Sequence, residues 1–113
     1  MEEIFVPASV REVGDRAFEG CGSLRAVRFP QDSRLERLGE GTFAYSGLRA
    51  FTVPAGLRAI ERNVFLDCRH LRAVRFAPGS RLERVGEDAF AGVPAEVRLP
   101  EGAEVVSASE HSE

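Results

Sequence analysis

Lysine and tryptophan are missing from this 113-residue chain, and tyrosine and methionine occur once each. Without lysine there is no Schiff-base nucleophile and no P-loop cation, so both chemistries are excluded outright. The two histidines stand apart, His70 at the start of an expected strand and His111 near the end of the sequence. Neither forms a Ser–His or Cys–His constellation, so the reading is that the chain is not an enzyme. No stretch reaches the roughly 18–20 apolar residues of a membrane span. Met1 is followed by Glu2 and Glu3 rather than by a basic and then apolar leader. As written, the chain reads as cytoplasmic; it reads as extracellular or surface-borne if it is a piece of a larger protein.

The two cysteines, Cys21 and Cys68, occupy equivalent slots two repeats apart. Strand stacking places such slots about 9–10 Å from one another, beyond the roughly 7 Å that a disulfide tolerates between Cα atoms. With no local His or Cys partner a zinc site is unsupported. Small buried thiols are the expectation, and no cofactor is implied.

What the chain has in abundance is repetition. Phenylalanine recurs at Phe18, Phe43, Phe65 and Phe90. The segments Ser23–Ala44 and His70–Ala91 share 15 of 22 aligned residues. A fixed period of this length is the signature of a stacked solenoid. The residues closing each apolar run, Pro7, Pro30, Pro54, Ala77 and Pro100, are spaced 23, 24, 23 and 23. Before each lies a period-two apolar pattern, such as Leu24, Val27 and Phe29 or Leu71, Val74 and Phe76, which reads as a strand with one buried face. After each come two further anchors, Val10 and Val13, Leu35 and Leu38, Leu57 and Ile60, Leu82 and Val85.

The expected domain is therefore a solenoid over 1–100, with coils at about 1–22, 23–46, 47–69 and 70–94 and a final strand at 95–100. A parallel sheet is expected on one face, with short helical or 3₁₀ turns carrying the phenylalanines on the other. Gly14, Gly39 and Gly86 precede those turns, a placement that suggests backbone freedom. The distance from strand exit to phenylalanine alternates, 11, 13, 11 and 13 residues. The true unit is thus a 47-residue pair of coils, with the extra residues of the longer coils bulging at one corner. Residues 101–113 add Glu101, Glu104, Glu110 and Glu113 without a basic residue, and read as an acidic, Ser-containing, partly disordered tail.

The sequence Leu-x-x-Val-x-Phe-Pro, then Ser-x-Leu-x-x-Leu-Gly-x-x-x-Phe, then Cys-x-x-Leu, recurs across residues 4–100. It resembles the BspA-like class of leucine-rich repeats. The resemblance implies a solenoid with a parallel sheet on one side and short irregular or helical segments on the other. It implies surface or host-interaction proteins that bind other proteins, some of them intracellular, and it carries over no catalytic motif.

Outward positions of successive strands should line up in columns. One runs Phe5, Arg28, Thr52, Arg75, Arg98; the next runs Glu3, Ala26, Ala50, Ala73, Glu96; a third holds Arg25, Arg49 and Arg72. Like charges on adjacent strands are destabilising, so the columns suggest an anionic partner suited to guanidinium forks. A merely solvated face, offset by Glu3 and Glu96, is the competing account. Phe5 either stacks on Arg28 or is an edge residue awaiting another coil. The pI of about 5.5 argues against nucleic acid, which leaves an acidic protein, a sulfated glycan or the chain's own tail. The expected function is a protein-interaction module working through this face. The alternative is a structural stacking segment, or a fragment of a longer adhesion-type repeat protein, with end-to-end self-association.

Overall fold

A computed structural model describes residues 2–106. The repeat folds as a solenoid in which every strand pair is parallel. The first set of apolar runs gives β1 (Glu3–Phe5), β3 (Ala26–Arg28), β5 (Ala50–Val53) and β7 (Ala73–Phe76). These pair as two short ladders, β1 with β3 and β5 with β7. The second anchors give β2 (Glu12–Val13), β4 (Arg37–Leu38), β6 (Ala59–Ile60), β8 (Arg84–Gly86) and β9 (Glu104–Val106), which form one five-stranded sheet in that order. Each of the first four coils thus places one strand on a first face, where the two ladders together make up the first sheet, and one on the five-stranded second sheet before its turn segment closes the circuit.

The core follows the expected apolar positions. Leu35, Leu38, Leu48, Leu57, Ile60 and Leu71 are fully buried, as are Phe43 and Phe65. The repeated phenylalanines stack along the solenoid, with ring centroids 5.6 Å apart for Phe18–Phe43, 5.8 Å for Phe43–Phe65 and 5.3 Å for Phe65–Phe90. Phe51 inserts from the first sheet, 4.9 Å from Phe65. No coil could bury these rings alone, so the fold is held by contacts between neighbours.

The turn segments are not helical, contrary to expectation. Two residues before each phenylalanine, Arg16, Gly41, Asn63 and Asp88 all have positive φ; two residues after it, so do Gly20, Tyr45, Asp67 and Gly92. A left-handed residue at every fourth position breaks any helical run. It also turns alternate peptides along the solenoid axis. The N–H groups of Arg16, Phe18 and Gly20 donate to the carbonyls of Glu40, Thr42 and Ala44 in the next coil, while those of Ala17, Glu19 and Cys21 donate three residues back. The backbone is satisfied half within a coil and half between coils. Asn and Asp tolerate the left-handed region well, and they fill three of these slots.

Three further expectations change. Gly39 and Gly86 do not have positive φ. A Cβ at Gly39 would stand 2.7 Å from the Asp15 backbone nitrogen, and one at Gly86 would stand 2.2 Å from that of Arg62. They are glycine because the preceding coil presses on them, and Gly14, with nothing within 4 Å, has no such neighbour. Residues 95–100 form no strand. They keep the alternation of half-buried Val97 and Leu99 with exposed Glu96 and Arg98, and Leu99 still packs on the core. Finally, the first part of the expected tail is ordered into the second sheet: β9 pairs with β8, setting Glu104 opposite Arg84 and Val105 opposite Val85. Glu110 and Glu113 lie outside the described residues.

Candidate functional site

The first sheet holds most of the expected surface in the expected register. Phe5 stands opposite Arg28 and Glu3 opposite Ala26; Thr52 stands opposite Arg75 and Ala50 opposite Ala73. The third column is fixed by backbone bonds, since Arg49 N–H donates to the Arg25 carbonyl and Arg72 N–H to the Arg49 carbonyl. Arg25, Arg28, Arg49, Thr52, Arg72 and Arg75 are all exposed. Arg98 is exposed as well, but it sits on the unpaired segment and its nearest ion partner is its neighbour Glu96, at 3.6 Å. Phe5 is 72% exposed. Arg28 directs its guanidinium to Glu3, so its ion pair lies on that side.

The second sheet supplies the comparison that gives these columns meaning. There, Arg11, Glu36, Arg58 and Glu83 succeed one another from coil to coil through backbone bonds, alternating in sign. Arg11 pairs with Glu36 at 3.2 Å. In the adjacent column Arg37 reaches Glu61 at 2.9 Å and Glu12 at 3.3 Å, and Arg84 reaches the same Glu61 at 3.0 Å. Partial burial alone would lower the Arg37 pKa. The hydrogen bond to Glu61 and the charges of Glu61, Glu12 and Asp15 outweigh it and raise the value above the ordinary one. Arg11, Arg37 and Arg84 on this sheet are thus matched within the protein, while Arg58 and Glu83 alternate in sign with their neighbours without an ion pair of their own among the described residues.

On the first sheet the matching is confined to the edge, where Arg28 pairs with Glu3. The third column begins with Glu2, whose carbonyl accepts from Arg25 N–H, and then runs Arg25, Arg49 and Arg72; neither these three arginines nor Arg75 have an ion pair among the described residues. Between the two arginine columns runs the small-residue column of Ala26, Ala50 and Ala73. Arg49, immediately before β5, and Thr52 within it are three residues apart, which puts the columns about 10 Å from each other.

The sequence reading missed a recess beside this face. A groove of about 600 Å³ opens where the first sheet turns toward the second, lined by Arg28, Pro30, Thr52, Pro54, Ala55 and Pro78 among others. Its signal was present in the 11-and-13 alternation, which sets long corners on both sides of a short one. The cysteines, by contrast, belong to packing. Both are free, Cys68 buried and Cys21 half-buried. The Cys68 thiol donates to the Phe43 carbonyl at 3.0 Å and lies 3.5 Å from the Ser46 hydroxyl. Burial pushes its pKa up, against the opposing hydrogen bonds from Ser46. Among the described residues, no cluster of His, Cys, Asp or Glu is arranged to hold a metal ion, and no helix is long and apolar enough to cross a membrane.

Comparison with known proteins agrees with this architecture. The crystal structure of the pneumococcal vaccine antigen PcpA superposes with a TM-score of 0.87 and 25% identity, covering 94% of this chain and 26% of that one. A leucine-rich cell surface protein of Faecalibacterium prausnitzii A2-165 superposes with a TM-score of 0.59 and 19% identity, covering 99% of this chain and 36% of that one. The chain therefore spans about a quarter to a third of the length of these two proteins. No curated protein matches the sequence. The family model for the BspA type leucine rich repeat region (6 copies) matches residues 1–107, and the chain belongs to that family.

Proposed function

We propose that this chain is a non-enzymatic protein-interaction module whose first sheet binds an acidic protein partner through Arg25, Arg49, Arg72 and Arg75, with Arg28, Thr52, Arg98 and Phe5 at the margins. The observation that carries the reading is the contrast between two columns of one fold. The second sheet alternates Arg and Glu from coil to coil, whereas the first, after Glu2, stacks Arg25, Arg49 and Arg72 one on another. Each like-charged neighbour costs a few tenths of a kcal/mol or more, and an acidic partner would recover that cost through charge-assisted hydrogen bonds.

The test uses poly-L-glutamate as the acidic probe. Arg49→Glu with Arg72→Glu is compared with Arg34→Glu with Arg81→Glu, an equal charge change at two exposed corner residues outside the columns. The first pair should abolish binding and the second should reduce it slightly. Equal losses would mean that bulk charge alone is at work, which refutes the reading. Binding to heparin but not to poly-L-glutamate would transfer the face to a sulfated glycan and refute the acidic-protein assignment.

A second reading, a stacking segment of a longer surface or adhesion-type array, is supported by Phe5 and Val105, which are 72% and 58% exposed on the first and last coils. Light scattering distinguishes it: a concentration-independent monomer would remove the end-to-end association that this reading requires.

A further inference from the structure

Between strand exit and phenylalanine the coils differ in one dimension only, the length of the corner between the two sheets. From strand exit to the next anchor, Pro30 to Leu35 and Ala77 to Leu82 each contain two more residues than Pro7 to Val10 and Pro54 to Leu57. The extra residues are folded against the solenoid. The Ser33 and Ser80 hydroxyls accept from the Leu35 and Leu82 N–H groups at 3.3 Å, and the Arg34 and Arg81 N–H groups donate to the Ala8 and Ala55 carbonyls of the preceding short corners. The short corner Pro54-Ala55-Gly56 is thereby recessed between two longer ones, and the recess is the groove of about 600 Å³.

Its walls are stiff and of mixed polarity, with apolar side chains beside Arg28, Gln31, Ser33 and Thr52. Val27, Phe29, Pro30, Pro54 and Pro78 line it, and proline fixes φ, so the shape is largely preformed and little ordering is needed on binding. Its mouth opens onto the arginine face beside Arg28 and Thr52. Thr52 is exposed and stands in register with the unpaired Arg75. A recess with apolar groups in its walls, at the edge of a guanidinium surface, suits a ligand that is both apolar and anionic within a short span.

We infer that this recess is the anchoring subsite of the arginine face: it takes one apolar side chain of an extended acidic segment of the partner, whose flanking carboxylates meet Arg75 and then Arg49 and Arg72. The inference rests on the proposed acidic-protein function and adds to it a position and a register. An extended segment covers the roughly 10 Å from Thr52 to the Arg49 column in about three residues. The partner motif is therefore an apolar residue with acidic residues within three or four positions of it. The groove provides the selectivity and the arginines the long-range attraction.

The probes are two fluorescent dodecapeptides of alternating glutamate and glycine, one with a single central leucine and one with glycine there. The wild-type chain should bind the leucine peptide about tenfold more tightly, the size of gain expected from burying one such side chain. Ala55→Phe, which fills the recess from its floor, should erase that preference and leave the glycine peptide unaffected. Gln31→Trp, placed on an exposed rim residue, should do the same without touching the core. If both variants fold by circular dichroism and keep the tenfold preference, or if the wild-type chain binds both peptides equally, the recess is not the subsite, although the arginine face still binds. If the wild-type chain binds neither peptide, the acidic-protein function itself fails.

Discussion

Gly14 and Gly86 hold the same slot in the first and fourth coils, yet the structure assigns opposite signs to the same substitution at the two sites. A Cβ at Gly86 would lie 2.2 Å from the Arg62 nitrogen, 2.6 Å from the Arg62 Cα and 2.6 Å from the Glu61 carbonyl carbon. Every one of these is a backbone atom, so no rotamer change relieves the clash. Restoring a normal contact of about 3.5 Å requires the coils to part by about 1 Å. That separation would strain the adjacent β6–β8 register of Ala59 with Arg84 and Ile60 with Val85 and the Asn63-to-Glu87 backbone bond, already 3.2 Å long. The cost should sit at the upper end of overpacking, about 3 kcal/mol, out of a total stability of about 5–15 kcal/mol for a domain of ordinary stability. At Gly14 nothing lies within 4 Å and φ is not positive. Alanine there should stabilise by about 0.4–1 kcal/mol, because it restricts the unfolded chain. Urea denaturation followed by far-ultraviolet circular dichroism, with a shared m-value, measures both. Changes of the same sign, or a Gly86→Ala effect below about 1 kcal/mol, would refute close approach as the reason for this glycine.

Phe65→Ala should cost about 4 kcal/mol, since it opens a cavity and removes packing with Phe43, Phe51 and Phe90 together. Phe18→Ala on the half-buried first coil should cost about half as much, and equal losses in denaturant midpoint would contradict the nearest-neighbour description. Stability should fall as pH rises above about 8.5, where the unfolded Cys68 thiol ionises while the native one, its pKa raised by burial, keeps its proton. The contribution to the slope is at most about 1.4 kcal/mol per pH unit, the limit for one proton, and the slope should shrink in Cys68→Ala; an unchanged slope would place its origin elsewhere. Asn63→Gly should be nearly neutral and Asn63→Ala should cost about 1 kcal/mol, because φ is 63° there; equal effects in thermal melts would count against left-handed strain.

The solenoid, its two-coil unit, its core and the arginine columns were legible because each depends on positions that recur at fixed spacing. Leu24, Val27 and Phe29 announce a half-buried strand, and Leu71, Val74 and Phe76 repeat the announcement. The turn geometry was not legible. Arg16, Tyr45 and Asp67 stand in left-handed slots where no propensity would put Arg or Tyr, and only the demand that alternate N–H groups reach the next coil explains them. The second sheet's alternating charge was written in the sequence as Arg11, Glu36, Arg58 and Glu83, but it gains meaning only when the coils are placed in register.

The 11-and-13 alternation reaches further than the repeat it defines. It lengthens the second and fourth corners, and the coils that carry those corners also carry Gly39 and Gly86, the slots on which the preceding short coil presses. The short third coil carries Glu61 in that slot instead, and its carboxylate bridges Arg37 below and Arg84 above. The same third coil forms the floor of the recess at Pro54-Ala55-Gly56. A deletion that made all corners equal, removing Asp32 and Ser33 together with Gly79 and Ser80, should therefore abolish the preference for the leucine peptide while leaving the arginine columns and their binding to poly-L-glutamate in place. If that preference survived in a folded deletion variant, corner length would not be what shapes the site.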